Sequence, residues 1–428
     1  MPANSIRAAS TGLPIGSRLA LLVGRVASGL SRQLGRGRGA QIGGKVAYRL
    51  RPQTLHDLAT GKTTALVSAT NGKSTTATLL HAAVVGIGST AFNATGANME
   101  EGIVVALDAD RGASFAVLET DEAYLGVVLR ATRPRVIVLM NLSRDFLERG
   151  VRAKKLATHW RESLKEVDWP ATVIANADDP LVAWAARGFA HVVWVAGEDS
   201  FTADSMVCRD CLVKLQRSDG GHWRCPQCGF SRPTSDWSLD GGQAIGPEGS
   251  LGLPSALPGH AARVNALFAL AAAAEMGVSP EAAVSAIATV ENVDGRYTPH
   301  VVGEHTIRVL LAKNPASWTE SIETIRQAAA DEPGRSIVLA MSGRGEGGGQ
   351  DTAMLWDAPF ERLARLSVTT AGSRGDELAL RLVAADVDAH WTGDDVMAAI
   401  SGQPPGPVDV VANWPAFNAV LDQIGRGA

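Results

Sequence analysis

A short polar segment between two apolar runs constrains the fold of this chain more than any other stretch. Residues Ser68-Ala-Thr-Asn-Gly-Lys-Ser-Thr-Thr76 follow the strand-like run Thr64-Ala-Leu-Val67 and precede the helix-like run Ala77-Thr-Leu-Leu-His-Ala-Ala-Val-Val85. A strand that enters a helix through Gly-Lys-Ser places backbone N–H groups and the positive helix end around an anion. The arrangement favours a nucleotide phosphate site over a plain helix N-terminus with a surface lysine.

The side chains of this segment suit the phosphates of ATP. Lys73 can neutralise the β- and γ-phosphates, and the Ser74 hydroxyl can coordinate Mg²⁺. The full G-x-x-x-x-G-K-[ST] pattern is not met, because residue 67 is Val rather than Gly. The strand–loop–helix context nevertheless predicts an ATP site.

Apolar runs continue from residue 64 to about residue 197, separated by stretches long enough for crossover helices. The further runs are residues 114–118, 135–140, 172–175 and 191–195. This alternation is typical of a doubly wound parallel α/β sheet. Ligands of such sheets bind beyond the carboxyl ends of the strands, so Glu119 is expected to hold Mg²⁺ together with Ser74. A solvated loop carboxylate is the alternative interpretation of Glu119.

The length of 428 residues predicts more than one domain. We expect an N-terminal helical and basic segment at residues 1–45, a central ATP-binding domain at 46–297 and a smaller C-terminal α/β domain at 298–428. Polar and glycine-rich segments near residue 200 and at 240–250 bound an insertion in the central domain. The run Ser342-Gly-Arg-Gly-Glu-Gly-Gly-Gly-Gln-Asp351 is too glycine-rich for regular structure, and is either a mobile loop or a site loop.

The four cysteines form two pairs, Cys208-Arg-Asp-Cys211 and Cys225-Pro-Gln-Cys228. Each C-x-x-C turn points two thiolates at one centre, so the two turns complete a tetrahedron around Zn²⁺. The residues between them suit a hairpin with a turn at Asp219-Gly-Gly221, which predicts a zinc ribbon inserted at residues 200–235. Two disulfides, typical of secreted proteins, or redox-active pairs are the alternatives. Four protein ligands leave no position for substrate water, so the zinc is expected to be structural.

The formal charge of −4 is small for this length and predicts no general attraction to nucleic acid. Basic residues cluster near the amino end, where residues 19–30 could form an amphipathic helix. That stretch is too short and too charged to span a bilayer, and no signal-peptide cleavage site follows it. We expect a cytoplasmic protein whose helix packs on the first domain, with contact to an anionic membrane surface as the alternative.

Taken together, the motifs resemble the Mur ligases, ATP-dependent enzymes that build peptidoglycan precursors, and their folylpolyglutamate synthetase relatives. The similar segments are Thr70-Asn-Gly-Lys-Ser-Thr75, Leu118-Glu-Thr-Asp-Glu122, Met140-Asn-Leu-Ser-Arg-Asp145, Asn176-Ala-Asp-Asp-Pro180, Val264-Asn-Ala-Leu267 and Asp294-Gly-Arg296. The ribbon, Lys313-Asn-Pro315 and Asp351-Thr-Ala-Met-Leu-Trp-Asp357 resemble the MurT-type subunits of lipid II isoglutaminyl synthase. The family's His-Asn pair is absent, because residues 261 and 262 are both Ala.

The resemblance implies a set of site residues. The ATP-binding residues would be Thr70, Asn71, Gly72, Lys73, Ser74, Thr75, Asn265, Arg296 and Asn314. Asn265 would orient the γ-phosphate or metal, and Arg296 would balance charge on the phosphoryl group. The plainer interpretations are a helix cap for Asn265 and an interdomain hydrogen bond for Arg296. Asp351 would be the catalytic carboxylate that positions or deprotonates ammonia, with Asp357 as the fallback.

The resemblance also implies the reaction. ATP would phosphorylate the α-carboxyl of D-glutamate in the lipid II stem peptide, and ammonia would attack the acyl phosphate to give D-isoglutamine. The implied partner is a GatD-type glutaminase subunit, which fits a chain whose four cysteines would all hold zinc. The alternatives are an amino-acid ligase of the Mur or folylpolyglutamate type and a non-catalytic zinc-ribbon scaffold that binds nucleotides.

Overall fold

The computed structural model describes residues 12–33, 40–93, 97–144, 153–198, 202–254, 256–293, 299–343 and 352–427. Its strands are β1 Thr63–Ser68, β2 Thr90–Phe92, β3 Phe115–Thr120, β4 Val136–Leu139, β5 Thr172–Asn176, β6 Val192–Ala196, β7 Gln216–Arg217, β8 Trp223–Arg224, β9 Trp237–Asp240, β10 Gln243–Gly246, β11 Gly249–Gly252, β12 Pro299–Val302, β13 His305–Leu311, β14 Ser336–Ala340, β15 Ser367–Ala371, β16 Asp388–Trp391 and β17 Gly406–Ala412.

The α-helices connect these strands. They are α1 Ile15–Gln33, α2 Ala40–Leu50, α3 Gln53–Ala59, α4 Lys73–Val85, α5 Glu100–Ala109, α6 Leu125–Thr132, α7 Ala153–Lys165, α8 Pro180–Ala186, α9 His260–Glu275, α10 Pro280–Ile287, α11 Pro315–Asp331, α12 Gly375–Val383, α13 Val396–Ser401 and α14 Trp414–Gly427. Short 3-10 helices lie at Ala203–Ser205, Thr352–Asp357 and Phe360–Leu363.

The larger sheet has the order β11-β10-β9-β6-β5-β4-β1-β3-β2. Strands β1 to β6 are parallel to their neighbours, which confirms the five strand predictions. The apolar side chains of each strand alternate between two cores. One core includes Leu66 with residues of α1, α2, α3 and α5 to α8, and the other includes Ala65 and Val67 with residues of α4, α9 and α10. Helices therefore cover both faces, as a doubly wound sheet requires.

The sequence predicts that the glycine-rich residues 240–250 bound the insertion, but the structure has strands there. Strands β10 and β11 occupy most of this stretch and extend the sheet as antiparallel strands beside β9. Strand β9 pairs with β6 through Val195 and Trp237. The sheet therefore resumes after residues 202–235, which contain the four cysteines and are called the cysteine segment below. A Cβ atom on Gly246 would lie 2.5 Å from the Trp237 ring, which explains why this strand contains a glycine. Gly246, one of the glycines that suggested irregular structure, therefore makes room for an aromatic side chain.

The amino-terminal helices pack on the large sheet. Ala20 and Leu21 of α1 and Ala47 of α2 lie in the same core as buried residues of strands β1 and β3. The helix that the sequence predicts at residues 19–30 is longer and begins at Ile15. Residue 45, the expected boundary of the first segment, lies inside α2.

The C-terminal residues form a second α/β sheet with the order β12-β13-β17-β14-β15-β16. All pairs are parallel except β12 with β13. Apolar clusters cover both faces, one including Trp318, Leu339 and Phe360 and the other including Val338 and Phe417. The second α/β series expected from the sequence is therefore present, with β16 as an additional edge strand.

A candidate nucleotide site and a candidate metal centre

The loop between β1 and α4 has the backbone geometry of an anion cradle. Helix α4 begins at Lys73, four residues before the apolar run that the sequence predicts as a helix. Gly72 precedes it with φ of +83°, in the left-handed region. A Cβ atom on Gly72 would lie 2.4 Å from Oδ1 of Asn265. Both the backbone angle and the close approach of Asn265 therefore require glycine at this position.

Side chains beyond the end of β4 hold this loop in place. The Asn71 backbone N–H donates to Oδ1 of Asn141 at 2.9 Å, and Nδ2 of Asn141 donates to the Asn71 carbonyl at 2.9 Å. Nδ2 of Asn71 donates to Oγ of Ser143 at 3.0 Å, and the Ser143 N–H donates to Oγ1 of Thr70 at 3.2 Å. Residues that follow β4 thus hold the loop in this conformation.

Lys73 is buried in an ion pair at the centre of the site. Its Nζ lies 3.2 Å from Oε2 of Glu122, and only 9% and 6% of the two side chains are exposed. Nζ also donates to the Ala69 carbonyl at 3.0 Å, which directs the ammonium back over the loop. Nε1 of Trp160 donates to the Glu122 carbonyl at 3.0 Å and fixes the backbone of the partner. A charge in so dry a place interacts with a phosphate more strongly than a surface lysine does.

Glu119 lies next to this loop on the neighbouring strand. It is opposite Val67 in the parallel register of β1 and β3 and is 3% exposed. Asn93 accepts from its backbone N–H and donates to its carbonyl, both at 2.8 Å, while Nδ2 of Asn98 donates to Oε1 at 3.3 Å. Ser74 is half-buried in the first turn of α4. The carboxylate and hydroxyl are oxygen donors of the kind Mg²⁺ prefers, so their chemistry fits the expected metal.

Asn265 and Asn314 both lie against the phosphate loop. Asn265 is inside α9, so the helix-cap interpretation is wrong: the cap residue is Gly259. Asn314 is the N-cap of α11, and its Nδ2 donates to Oδ1 of Asn71 at 3.1 Å. The C-terminal part of the chain therefore contacts the loop directly.

The remaining expected site residues are Arg296, Asp351 and Asp357. Arg296 and Asp351 are outside the described residues. The fallback carboxylate Asp357 pairs with Nη1 of Arg144 at 2.9 Å, and Nε of Arg144 lies 2.6 Å from Asp204. Asp357, Arg144 and Asp204 therefore form a chain of ion pairs. This chain joins a segment between strands of the second sheet to segments between strands of the large sheet.

Replacement of Asn314 by Ala tests the contact between the two parts of the chain. The variant loses the α11 cap, at a cost of about 1 kcal/mol in the free energy of unfolding. It also leaves the Asn71 amide without its Asn314 contact, so we expect a several-fold higher KM for ATP. Ser279→Ala is the matched control, because Ser279 caps α10 without contacting the loop. Urea unfolding should show a similar loss of stability in both variants, whereas ATP titration should show a raised KM only in Asn314→Ala. An equal KM in both would contradict this role.

The four cysteine sulfurs form one cluster. All four Sγ atoms lie within 4.8 Å of one another, and Sγ of Cys208 and Cys228 are 3.8 Å apart. Zinc–sulfur bonds of about 2.3 Å in a tetrahedron place sulfurs roughly 3.8 Å apart, so the geometry fits zinc. The strands β7 and β8 between the pairs form the predicted hairpin, with Gly220 and Gly221 both at positive φ. The cysteines are free thiols rather than two disulfides.

The two cysteine turns have the same backbone arrangement. The Leu212 N–H donates to the Cys208 carbonyl at 3.0 Å, and the Gly229 N–H donates to the Cys225 carbonyl at 3.1 Å. Both donor residues, Leu212 and Gly229, have positive φ. In the second turn, the backbone N–H of Cys228 lowers the pKa of the Cys225 thiol to about 7. The Cys228 side chain raises the pKa of the Cys211 thiol to about 12, so the thiols of the cluster differ in how readily they form the thiolate that binds metal.

The cysteine segment is anchored on the large sheet by buried contacts. Nε1 of Trp223 donates to the Ala177 carbonyl at 3.0 Å, and Nε of Arg232 donates to Oδ1 of Asp178 at 2.6 Å. Oδ2 of Asp178 accepts from the Gly197 N–H at 2.8 Å. The segment is therefore joined to the carboxyl ends of β5 and β6.

Asp179 makes stability depend on pH. Burial raises its pKa to about 6, although the N–H groups of Leu142, Leu181 and Val182 lower it. The folded state therefore holds this proton more tightly than the unfolded state. Stability from this group is complete below about pH 4 and is lost as the pH rises through about 6, by roughly 3 kcal/mol. Asp179→Asn should remove this slope in urea unfolding, and the exposed control Asp240→Asn should keep it. The same slope in both variants would contradict the assignment.

Sequence reasoning gave no separate role to several residues that build the site. Glu122, Asn141 and Asp178 each lie two residues beyond the end of a parallel strand, namely β3, β4 and β5. That common position is the sequence signal, because the carboxyl ends of parallel strands meet at one edge of the sheet.

Comparison with known proteins agrees with this architecture. The Mur ligase middle domain matches residues 67–273, and the MurT ligase C-terminal domain matches residues 311–416. These matches, with the phosphate loop and the two α/β sheets, define a ligase of the Mur type. The chain belongs to the Mur ligase family, and its C-terminal domain is of the MurT type.

The relatives and solved structures extend this result. The chain is 29% identical over 402 residues to lipid II isoglutaminyl synthase (glutamine-hydrolyzing) subunit MurT of Streptococcus pneumoniae, covering 85% of this chain and 86% of the relative. It is 26% identical over 438 residues to the MurT subunit of Staphylococcus aureus strain N315, covering 95% and 97%. A pseudomurein peptide ligase type C from Methanothermus fervidus has the same fold, with a TM-score of 0.66 and 16% identity over 90% and 84% of the two chains.

Proposed function

We propose that this protein is the synthetase subunit that amidates the stem peptide of lipid II at the expense of ATP. The substrate group is the α-carboxyl of D-glutamate, and the product is D-isoglutamine. The observation that carries the proposal is the buried Lys73 over a glycine-constrained loop, in a chain similar to MurT subunits over most of its length. A dry lysine at a helix N-terminus serves phosphoryl transfer, which a plain binding scaffold does not need.

The chemistry divides into two displacements. A carboxylate oxygen attacks the γ-phosphorus of ATP and ADP leaves, which converts a poor acyl donor into an acyl phosphate. Ammonia then adds to the carbonyl carbon, loses a proton and expels phosphate, so that NH₂ replaces OH. Lys73 and the α4 N-terminus stabilise the negative charge of the transferring group. Loop residues Thr70 to Thr75 hold the β- and γ-phosphates through their N–H groups and hydroxyls.

Further residues complete the proposed site. Ser74 and Glu119 would hold Mg²⁺, which when bound neutralises charge on the phosphates. Asn265, packed against Gly72, would orient the γ-phosphate or the metal. Asn314 closes the loop from the C-terminal domain. We assign Arg296 to the phosphoryl charge and Asp351 to the positioning of ammonia, by their places in the family motifs.

Ammonia comes in this proposal from a separate GatD-type glutaminase subunit. The four cysteines are gathered into one cluster, so none is placed as a glutaminase nucleophile. We assign them to a structural zinc ion in a ribbon at residues 200–235, within a central domain at 46–297. The domain at 298–428, which contains Asp351, would then position the ammonia. A lipid-linked substrate would require the enzyme to act at the inner face of the membrane.

ATP turnover with different nucleophiles separates this function from its closest rival. With lipid II present, we expect ADP release by the isolated chain with ammonium chloride, and with glutamine only when the glutaminase subunit is added. A panel of amino acids should not replace ammonium. Turnover that requires an amino acid would identify an amino-acid ligase instead. Nucleotide binding without turnover under every condition would support a scaffold.

A further inference from the structure

Helix α1 exposes a continuous apolar stripe. Six large aliphatic side chains with helical spacing are each between 47% and 76% exposed: Ile15, Leu19, Leu22, Val23, Val26 and Leu30. On a helix these positions fall on one side. Scattered apolar residues are normal on a surface, whereas a stripe along a whole helix marks an interaction site.

The opposite side of α1 is already used. Oγ of Ser17 donates to Oδ2 of Asp57 at 2.5 Å, and Ala20 and Leu21 are buried in the core of the large sheet. A Cβ atom on Gly24 would lie 2.4 Å from the Gly43 carbonyl, so α1 and α2 cross in close contact. The helix is therefore fixed on the domain, and the stripe faces away from it.

The charge of this region is strongly one-sided. Residues 1–56 contain nine of the 40 basic residues and none of the 44 acidic ones. Their formal charge is thus +9 in a chain whose net charge is −4. Arg18, Arg25 and Arg32 follow one another at seven-residue intervals, which places them along one edge of the stripe. Arg25 also pairs with Asp108 of α5 at 2.9 Å.

We propose that α1 lies in the plane of an anionic phospholipid membrane, with its stripe among the acyl chains and its arginines at the phosphates. An interfacial helix has this combination of an apolar face and a basic edge without acidic residues. No described helix is long and apolar enough to cross a membrane, so the contact is with one leaflet. The inference deepens the proposed function, because it would bring the ATP site to a lipid-linked substrate.

Vesicle co-sedimentation of the full chain tests the proposal without ATP or substrate. We expect binding to phosphatidylcholine vesicles that contain about one third phosphatidylglycerol, and weak binding to phosphatidylcholine alone. Leu19→Gln with Val26→Gln should weaken binding at least tenfold. Arg18→Gln with Arg32→Gln should weaken it roughly 20-fold at low ionic strength and much less in high salt.

The control is a pair of equally exposed apolar residues on another helix. Leu380→Gln with Val383→Gln, both on α12, should bind vesicles like the wild type. Absence of wild-type binding to anionic vesicles at low salt would overturn the proposal. The proposal would also be overturned if only the arginine variant lost binding and the stripe variant bound like the wild type. In that case the stripe would not enter the membrane. If the stripe variants abolish assembly with the glutaminase or a second copy instead, the surface is a protein interface. Since ADP release is measured separately, failure here leaves the proposed reaction intact.

Discussion

Replacement of Lys73 by Met should lower ATP turnover about 100- to 1,000-fold, the usual effect of removing one charge that stabilises a transition state. The ammonium lies in a dry place over the loop, where no water can substitute for it. The same change should destabilise the fold by about 3 to 5 kcal/mol, because it leaves the buried Glu122 carboxylate without its partner. Steady-state ADP release and urea unfolding measure the two effects on one preparation.

The double variant Lys73→Met, Glu122→Gln separates the two effects. The double variant has no unpaired carboxylate in the buried site, so most of the lost free energy of unfolding should return. Turnover should stay low, because the charge on the phosphoryl group is still not balanced. Recovery of turnover with stability would show that Lys73 acts only through the fold. Wild-type turnover in Lys73→Met would rule out its phosphate role.

Replacement of Cys208 by Ser should remove the zinc ion and unfold the cysteine segment. Metal binding to such sites is worth roughly 10 to 16 kcal/mol, which a short hairpin with little core cannot replace. We expect about one zinc per wild-type chain, far less in the variant, and rapid proteolysis between residues 202 and 235. Unfolding of the segment should also lower the stability of the central domain. Trp223 would lose its hydrogen bond to the Ala177 carbonyl, and Arg232 would lose its contact with Asp178.

Met206→Ser is the matched control for this experiment. Met206 is exposed in the same segment and contributes no sulfur to the cluster, so the variant should keep its zinc. A cobalt-substituted wild type should show the absorption of a tetrahedral thiolate site, and Met206→Ser should share it. A wild type without metal, with its thiols paired as disulfides, would contradict the zinc assignment.

Local patterns were enough to predict the parallel strands and the phosphate loop. Buried parallel strands are continuous apolar runs, and the loop has a fixed residue order, so both are visible in a short window. The extension β9 to β11 was missed because its strands have four residues each and the segment is rich in glycine, of which Gly246 accommodates Trp237. The role of Gly72 was predicted from the loop, but its contact with Asn265 joins residues almost 200 positions apart, which no window contains.

The charged partners were the least predictable part of the site. The ion pair of Lys73 with Glu122 depends on two strand ends that meet only in the folded sheet. The same holds for Arg144, which pairs with Asp204 and Asp357 from different segments. The sequence alone does not distinguish Glu119, which we propose as a metal ligand, from Glu122, which pairs with Lys73 in the folded sheet. Position beyond a strand end predicts membership of the site, whereas the fold decides the role.

The mass of the lipid II product tests the central claim most directly. The isolated chain should be incubated with lipid II, ATP, Mg²⁺ and ammonium chloride, and the product isolated for mass spectrometry with fragmentation of the stem peptide. We expect a product lighter by the difference between OH and NH₂, with the change located on D-glutamate and dependent on Lys73. Unchanged lipid II despite ATP hydrolysis, or a product heavier by an amino-acid residue, would contradict the proposed amidation.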